Sequence, residues 1–294
     1  MLFRSENPMD WQLQLISDYI EIENAMQCSS VPRRWRRKEP DFSDSEILAI
    51  YFFGLRCGLR NVKSIHLIAS TVLSKWFPKI PCYEQYLRRI NRLGSYCKML
   101  CTKLYALEEQ NNPEQSIAID SAPVAIAKQA RSTKAKVAKN ICDKGYNKSK
   151  KGFFYGFKLH IASLTSNRSP YQIVFAEMTP ASVHDNKVLF RVVENFNQRM
   201  IYADKAYCSE KLSSLAKSSG NELITPIKKP KGREQGLDSI LMNSLIASTR
   251  QVIETTFGWL DRKCGIFQAN HLRSSKGIIR HIYVSLLGIN LGLV

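Results

Sequence analysis

The sequence of 294 residues predicts an α/β domain with a mixed sheet and flanking helices, preceded by an all-helical N-terminal region. In the first third, apolar residues recur at helical spacing, and a capping-box pattern from Ser43 to Glu46 precedes an apolar run. Further along, short apolar and β-branched runs alternate with helical stretches, as in α/β domains. The polar, turn-rich segment 110–114 separates a predicted region 1–112 from a predicted region 113–294.

The predicted elements follow from the spacing of apolar residues and from turn residues between them. Helices are predicted over about 10–26, 44–57 with Gly58 as a stop, 62–72, 83–93 and 94–109. Strands are predicted over the apolar runs 116–120, 153–164, 171–178, 199–204 and 222–227. Further helices are predicted over 186–197, 209–219 and 248–263, and the basic segment 228–236 is predicted to be a loop.

The charge of the chain is strongly positive and unevenly distributed. The formal net charge is +18; residues 1–115 hold 16 Lys or Arg and 13 Asp or Glu, whereas residues 116–294 hold 27 and 12. The segment Lys128–Lys158 contains ten Lys or Arg and a single acid. A surplus of this size favours a polyanionic partner, nucleic acid first and an anionic membrane surface second. Since 44% of the residues are hydrophobic, a packed core is expected and general disorder is excluded.

Cysteine usage and the apolar runs restrict the class of protein further. Eight cysteines are present, with no C-x-x-C pair and no accompanying histidine cluster, so a zinc ribbon or finger is not supported. A reduced, cytoplasmic protein is therefore expected. The longest apolar stretch, Ile282–Val294, is too short to span a bilayer, and the N-terminus lacks the apolar core of a signal peptide.

Three acidic residues carry the chemistry that the sequence predicts. Asp120 and Asp204 each follow an apolar run, and Glu254 lies in a helical pattern four residues after Arg250. Taken singly, each aspartate could be a cap or turn residue, and Glu254 could be a solvated residue paired with Arg250. Neighbouring strands would bring the two aspartates together, and a divalent cation would relieve their repulsion. Carboxylates suit Mg²⁺, and two such ions about 3.5–4 Å apart clamp the oxygens of a phosphoryl displacement.

The order of these acids and the motifs around them resemble bacterial insertion-sequence transposases of the DDE class. The motifs are Ile119-Asp120-Ser121-Ala122-Pro123-Val124, Gly156-Phe157-Lys158-Leu159-His160, Met178-Thr179-Pro180-Ala181-Ser182-Val183-His184-Asp185, Tyr202-Ala203-Asp204-Lys205-Ala206-Tyr207, and Arg250 with Glu254, Phe257 and Leu260. The resemblance covers about residues 116–265. The chain departs from the family pattern where Asp261 and Ala247 replace a lysine and a tyrosine that related transposases often carry.

The resemblance implies a ribonuclease H-like catalytic domain in which Asp120, Asp204 and Glu254 bind two Mg²⁺ ions, with Mn²⁺ as a substitute. It implies Mg-dependent cleavage and strand transfer at the ends of an insertion sequence. The expected partners are double-stranded DNA of the element ends and the target, and a second copy of the chain in a synaptic homodimer; no membrane is expected. The expected location is the bacterial cytoplasm, on the nucleoid. Two alternatives are an endonuclease without strand transfer and an inactive, DNA-binding repressor.

Several basic residues are candidates for contact with DNA. The helix predicted after Pro81 carries three arginines that could read the element ends in a helix-turn-helix-like region, or form an ordinary basic surface. The candidates are Arg250, Lys158, His160, Arg88, Arg89, Arg92, Lys148, Lys150 and Lys151, with the basic segment Arg33–Lys38 as a further phosphate-binding candidate. Lys158 and His160 lie two apart on a predicted strand and hence on one face, which could point to DNA, to the catalytic pocket or to solvent.

Two further predictions concern the surroundings of the catalytic acids. Asp185 could be an accessory acid near the metals, but the N-cap of the following helix is favoured. The segment Lys128–Lys158 is predicted to be a mobile loop that tracks phosphates rather than reading bases. The aromatic cluster after it could stack on bases but is favoured as a buried strand; it consists of Phe153, Phe154, Tyr155 and Phe157.

Overall fold

The computed structural model of the chain describes residues 10–28, 40–112, 116–147, 150–165, 172–227 and 236–294. Their helices are α1 (Asp10–Cys28), α2 (Asp44–Arg56), α3 (Val62–Thr71), α4 (Tyr83–Asn111), α5 (Asp185–Asn195), α6 (Glu210–Ser218), α7 (Leu237–Cys264) and α8 (Ser275–Asn290). Their strands are β1 (Ile117–Ala127), β2 (Asp143–Asn147), β3 (Gly152–Leu164), β4 (Ile173–Pro180), β5 (Met200–Tyr202) and β6 (Glu222–Ile224). Short 3₁₀ helices span Gln129–Arg131 and Lys205–Tyr207.

The chain divides into two compact units. The first unit consists of Met1–Leu104, Leu260–Ile266 and Leu272–Val294, and the second of Tyr105–Trp259 and Phe267–His271. The C-terminal helix α8 thus belongs to the unit of the N-terminal helices, whereas the division predicted from the sequence assigned it to the catalytic region. The division into a DNA-binding region 1–112 and a catalytic region 113–294 stays a prediction.

The first unit is helical, and α2 lies in its core. The predicted capping box forms: Ser43 Oγ accepts a hydrogen bond from the backbone N–H of Glu46, and the Glu46 carboxylate accepts one from the backbone N–H of Ser43. The cap starts α2 at the predicted place, and nearly all of its side chains are buried. A Cβ added to Gly288 of α8 would lie 2.7 Å from the Phe52 ring, so only glycine permits this close packing of α8 on α2.

The second unit contains a six-stranded mixed sheet, which confirms the predicted α/β class. Strands pair in the order β2-β3-β1-β5-β6, and β4 also pairs with β3. β3 is antiparallel to β1, β2 and β4, whereas β1, β5 and β6 are parallel to one another. β1 therefore lies at the centre, between the antiparallel and the parallel part of the sheet.

Helices α5 and α6 cover one face of this sheet. Their apolar stripes pack on the buried residues of the central strands in a single cluster that includes Ile117, Ile119, Ala162, Ile201, Val188, Val192 and Leu212. Burial of this apolar area provides the main stabilising contribution to the unit. It also fixes the positions of β1, which contains Asp120, and of β5, which ends two residues before Asp204.

Several elements differ from the sequence-based predictions. One continuous helix, α4, replaces the two helices predicted over 83–109, because Gly94 packs directly against the backbone of Arg280 instead of ending a helix. α7 begins at Leu237, well before the predicted position 248. The predicted loop Lys128–Lys158 contains β2 and the start of β3, so for these residues that prediction is wrong.

Three predicted features lie outside the described residues: the basic segment 33–38, Lys148, and most of the loop 228–236. No helix within the described residues combines the length and the apolar character needed to cross a bilayer.

Candidate active site

Strand register brings Asp120 and Asp204 to corresponding positions. β1 and β5 run parallel, with Ile117 opposite Ile201 and Ala118 opposite Tyr202. Each aspartate lies two residues beyond the second of these pairs, so the parallel register predicts that they face each other. The predicted strand 116–120 ended at Asp120, but β1 continues to Ala127 through its pairing with β3, so Asp120 lies within the strand.

Asp204 occupies a cap position, but its carboxylate does not act as a cap. It precedes the 3₁₀ helix Lys205–Tyr207 and makes no side-chain cap hydrogen bond there. Asp120 accepts one local hydrogen bond, from the backbone N–H of Ser121 at 2.7 Å. The interpretation of Asp204 as a helix cap therefore does not explain the direction of its side chain.

Arg250 of α7 bridges the two aspartates. Its Nη2 lies 3.1 Å from Asp120 Oδ2, and its Nη1 lies 3.5 Å from Asp204 Oδ1. The Arg250 side chain is only 11% exposed. A planar guanidinium suits such a fork because its two terminal nitrogens point at different acceptors. The sequence had offered Glu254 or a DNA phosphate as partners; Arg250 pairs with the two aspartates instead of Glu254. Its contact with DNA stays a prediction and would require it to leave the carboxylates.

Burial dominates the electrostatics of Asp120. The pKa of Asp120 is raised from 3.8 to about 6, chiefly by burial, with smaller contributions from the nearby carboxylates of Asp204 and Asp185. The hydrogen bond from Ser121 and the charge of Arg250 oppose this rise. Arg250 therefore offsets only part of the cost of burying this carboxylate, and additional positive charge would stabilise its ionised form.

Glu254 lies one helical turn after Arg250 but does not join this group. Its side chain is exposed, and it makes no hydrogen bond or ion pair with a residue in the described part of the chain. In these same ranges, no three His, Cys, Asp or Glu side chains are close enough to hold a metal ion. The structure therefore assembles two of the three predicted acids, and the third lies near them only through its position on α7.

The carboxylate oxygens of Asp120 and Asp204 are suitable ligands for a divalent cation. Asp120 and Asp204 both direct carboxylate oxygens at one cationic group, and hard cations such as Mg²⁺ prefer such oxygens. The raised pKa of Asp120 points the same way, because an added cation would relieve the repulsion that contributes to it. These two aspartates could hold the ion, and Arg250 provides the positive charge between them in this structure.

Lys158 and Asp185 form an ion pair beside this group. Lys158 Nζ donates to Asp185 Oδ1 and to the backbone oxygen of Val183, both at 2.9 Å. Asp185 is the first residue of α5 and not its N-cap; the cap is His184, whose Nδ1 accepts from the backbone N–H of Asn186. The favoured interpretation of Asp185 as a cap is therefore wrong, and its role as an accessory acid stays a prediction.

His160 is buried, which argues against the predicted contact with DNA. Its side chain is 0% exposed, and its Nε2 lies 2.8 Å from Thr179 Oγ1 on the neighbouring strand β4. Burial lowers the pKa of His160 to about 4, so the ring is neutral at physiological pH. A neutral, buried imidazole cannot pair with a phosphate, and the face of β3 on which it lies is not solvated at this point.

The arginines of α4 divide into two groups. Arg89 donates to Phe42 O at 2.6 Å and to Asp44 Oδ1 at 2.7 Å, so this predicted DNA ligand is a structural residue of the first unit. Arg88 and Arg92, one turn apart, are exposed, and their contact with DNA stays a prediction. Lys150 and Lys151, in the turn before β3, are also exposed.

Comparison with known proteins adds one finding. The model of a protein family described as the transposase DDE domain matches residues 111–275, more than half of the chain. The matched range contains both aspartates, Arg250 and Glu254. No curated protein and no solved structure matches the chain.

Proposed function

Because the chain belongs to the transposase DDE domain family, we propose that it is a DNA transposase that binds the ends of an insertion sequence and catalyses cleavage and strand transfer there. Membership of the family confirms the resemblance noted in the sequence. The observation that carries the proposal is the convergence of Asp120 and Asp204 on Arg250 within the matched range. Two ionised carboxylates that point at one cation are expected in a phosphoryl-transfer site. They are not expected on a protein surface that only binds DNA.

In this proposal Asp120 and Asp204 are metal ligands, and Glu254 is the third. The proposed cofactor is a pair of Mg²⁺ ions, for which Mn²⁺ can substitute. When bound, such ions supply charge stabilisation for the attacking and leaving oxygens of the phosphodiester. Glu254 lies one turn from Arg250, so a modest rotation of its exposed side chain is the change that its role requires.

The proposed reaction has two steps at one site. Hydrolysis of a phosphodiester at the element end releases a 3′-OH, and this hydroxyl then attacks a phosphodiester of the target DNA. The chain's own residues position the strand and neutralise its charge, and no covalent enzyme intermediate is required. Arg250, once displaced from the carboxylates, is the cation nearest to them and can hold a phosphate of the DNA.

Exposed basic residues support DNA as the partner. Lys150 and Lys151 of the second unit and Arg88 and Arg92 of the first are solvent-accessible cations. They can bind phosphates without reading sequence. We assign recognition of the element ends to the helical residues 1–112 as a proposal, and a homodimer that pairs the two ends on the nucleoid as a further one.

The strand arrangement supports a ribonuclease H-like fold for the second unit. The antiparallel strands β1 to β4 are continued by the two parallel strands β5 and β6. Asp120 lies on the central strand β1, and Asp204 follows its parallel neighbour β5. Placement of the carboxylates on two adjacent central strands is what the proposed catalytic domain requires.

The test is an end-joining reaction with the full chain. A duplex that carries the inverted repeat of the element, a supercoiled target plasmid and Mg²⁺ are incubated with the wild type, with Asp204→Asn and with Asp41→Asn. Asp204→Asn removes a proposed ligand at nearly constant shape, whereas Asp41 is an exposed carboxylate of the first unit, 63% accessible. We expect joined product with the wild type and Asp41→Asn, and none with Asp204→Asn.

The outcomes separate the alternatives. Cleaved ends without joined product would assign the chain to the endonucleases. Binding of the duplex without cleavage, unchanged by Asp204→Asn, would assign it to the DNA-binding repressors. Joined product in the Asp204→Asn reaction would contradict the proposed active site.

A further inference from the structure

A pair of exposed aromatic side chains lies on the second unit, away from the two aspartates. Tyr146 of β2 and Phe153 of β3 are cross-strand neighbours with ring centroids 5.1 Å apart, and they are 49% and 46% exposed. Lys144 Nζ lies 4.4 Å from the centre of the Phe153 ring. Of the four aromatic residues favoured as core in the sequence, Phe153 alone is exposed, so the prediction is wrong for this residue and burial in the core does not explain its presence.

Phe153 also lines a cavity of about 670 Å³. Lys128 and Lys150 contribute positive charge to its wall, and Gln129, Asn147 and Gln268 contribute amide groups. The volume falls within the range of about 300–1,000 Å³ that is typical of small-ligand sites. The cavity therefore combines an aromatic surface, amide donors and acceptors, and two cations.

We propose that this cavity, the Phe153 pocket, binds an unpaired nucleobase of the DNA substrate. The chemistry of each wall matches one part of a nucleotide. An exposed phenyl ring stacks on the face of any base, amide side chains can hydrogen-bond its edge, and lysines neutralise the flanking phosphates. Tracking of duplex phosphates would need only the lysines and would leave the aromatic pair and the amides without a role. The proposal rests on the proposed function, because it takes DNA as the partner.

The Phe153 pocket is separate from the carboxylates, although one strand contributes to both. Pro123 and Ala125 of β1 line the pocket, whereas Asp120 precedes them on the same strand. From Asp120 to Ala125 is five residues, about 17 Å along an extended strand. Side chains alternate between the faces of a strand, so Pro123 and Ala125 lie on the face opposite Asp120. Changes in the pocket should therefore leave metal binding at the aspartates intact.

The test compares two DNA duplexes of equal length and charge, one fully paired and one with a single unpaired 2-aminopurine. Binding is measured by fluorescence anisotropy with the full chain in EDTA, where no cleavage can occur. We expect the wild type to bind the unpaired duplex about 10- to 100-fold more tightly, the range that stacking of one base supports. Stacking on Phe153 should also quench the 2-aminopurine fluorescence.

Matched variants isolate the stacking contribution. Phe153→Ala should abolish both the preference and the quenching while the affinity for paired duplex is unchanged, and Phe153→Trp should keep both. Leu107→Ala is the control, because Leu107 of α4 lies in the same unit and has the same 46% exposure. Lys150→Gln should weaken both duplexes alike and lower the slope of log affinity against log salt by about one.

The outcomes separate the pocket from the proposed function. A wild type that binds both duplexes equally, or a preference that survives Phe153→Ala, overturns the pocket alone. A wild type that binds neither duplex contradicts the proposed function. Adenosine monophosphate that competes for the quenched signal supports a base site, but its binding without any preference among the duplexes would assign the pocket to free nucleotides and overturn the proposal.

Discussion

Ionisation of the buried Asp120 carboxyl lowers the stability of the fold, and a single substitution can measure this effect. Its folded pKa is about 6 against an ordinary value of 3.8, with burial as the largest cause. Between these two values the folded chain holds more protons than the unfolded chain. Its stability therefore rises as the pH falls through this window and is lowest above it. Asn at position 120 keeps the shape of the side chain but has no charge to bury, so Asp120→Asn should stabilise the fold at neutral pH.

The size of the gain follows from the shift. One pKa unit corresponds to about 1.4 kcal/mol, so a rise of about two units gives an upper bound of about 3 kcal/mol. The Asp120 side chain is 29% exposed, and screening by solvent makes the gain in stability smaller than this upper bound. We expect about 1–2 kcal/mol above pH 6, or a midpoint of thermal unfolding higher by about 2–6 °C.

The assay is thermal unfolding of the wild type and Asp120→Asn in EDTA from pH 4 to pH 8. The difference should be largest above pH 6 and should disappear near pH 4, where the wild-type carboxyl is protonated as well. Asp41→Asn, at an exposed position, should change stability by less than about 0.5 kcal/mol. Equal or lower stability of Asp120→Asn at pH 7.5, or a gain that does not vary with pH, would refute the reasoning.

Three further predictions test other parts of the account. Gly156→Ala places a Cβ 2.1 Å from Val124 O and should lower the free energy of unfolding, measured in urea, by about 1–3 kcal/mol. Its control is Gly258→Ala in a helix, where no atom lies within 4 Å of the added Cβ, and this change should be neutral or stabilising. Arg250→Gln removes the cation between the aspartates, so Mn²⁺ should raise its unfolding midpoint more than that of the wild type; an equal rise would contradict the bridging role. Arg89→Ala should cost about 1.5–3 kcal/mol by removing the partly buried ion pair with Asp44, whereas Arg88→Ala should leave stability within about 0.5 kcal/mol and weaken DNA binding. Unfolding and salt-dependent anisotropy measure the two effects, and the reverse pattern would restore Arg89 as the DNA ligand.

Much of the fold could be predicted because apolar patterns are local. The capping box placed the start of α2, and the apolar runs located β3, β4, β5 and β6 within a few residues. β2 could not be found this way, because Asp143-Lys144-Gly145-Tyr146-Asn147 lacks alternation and forms a strand only through its pairing with β3. The predicted boundary between two helices at residues 93 and 94 is wrong, because Gly94 lies within α4, where its small size permits the close contact with Arg280.

Two members of the candidate site could be predicted because each aspartate directly follows an apolar run. Parallel register then brings Asp120 and Asp204 together, as the sequence indicated. The partner of Arg250 could not be predicted, because four-residue spacing favours Glu254 and only the tertiary fold brings the aspartates near. The burial of His160 could not be predicted either, since spacing along β3 does not show which face of the strand is covered and only the structure reveals its contact with Thr179 of β4.

The most direct test of the central claim is a crystal structure of the full chain grown with Mn²⁺, with anomalous scattering used to locate the ion. The account predicts an anomalous peak coordinated by carboxylate oxygens of both Asp120 and Asp204, with the Arg250 guanidinium displaced from between them. A structure at saturating Mn²⁺ in which Arg250 still bridges the two aspartates and no peak lies beside them would contradict it.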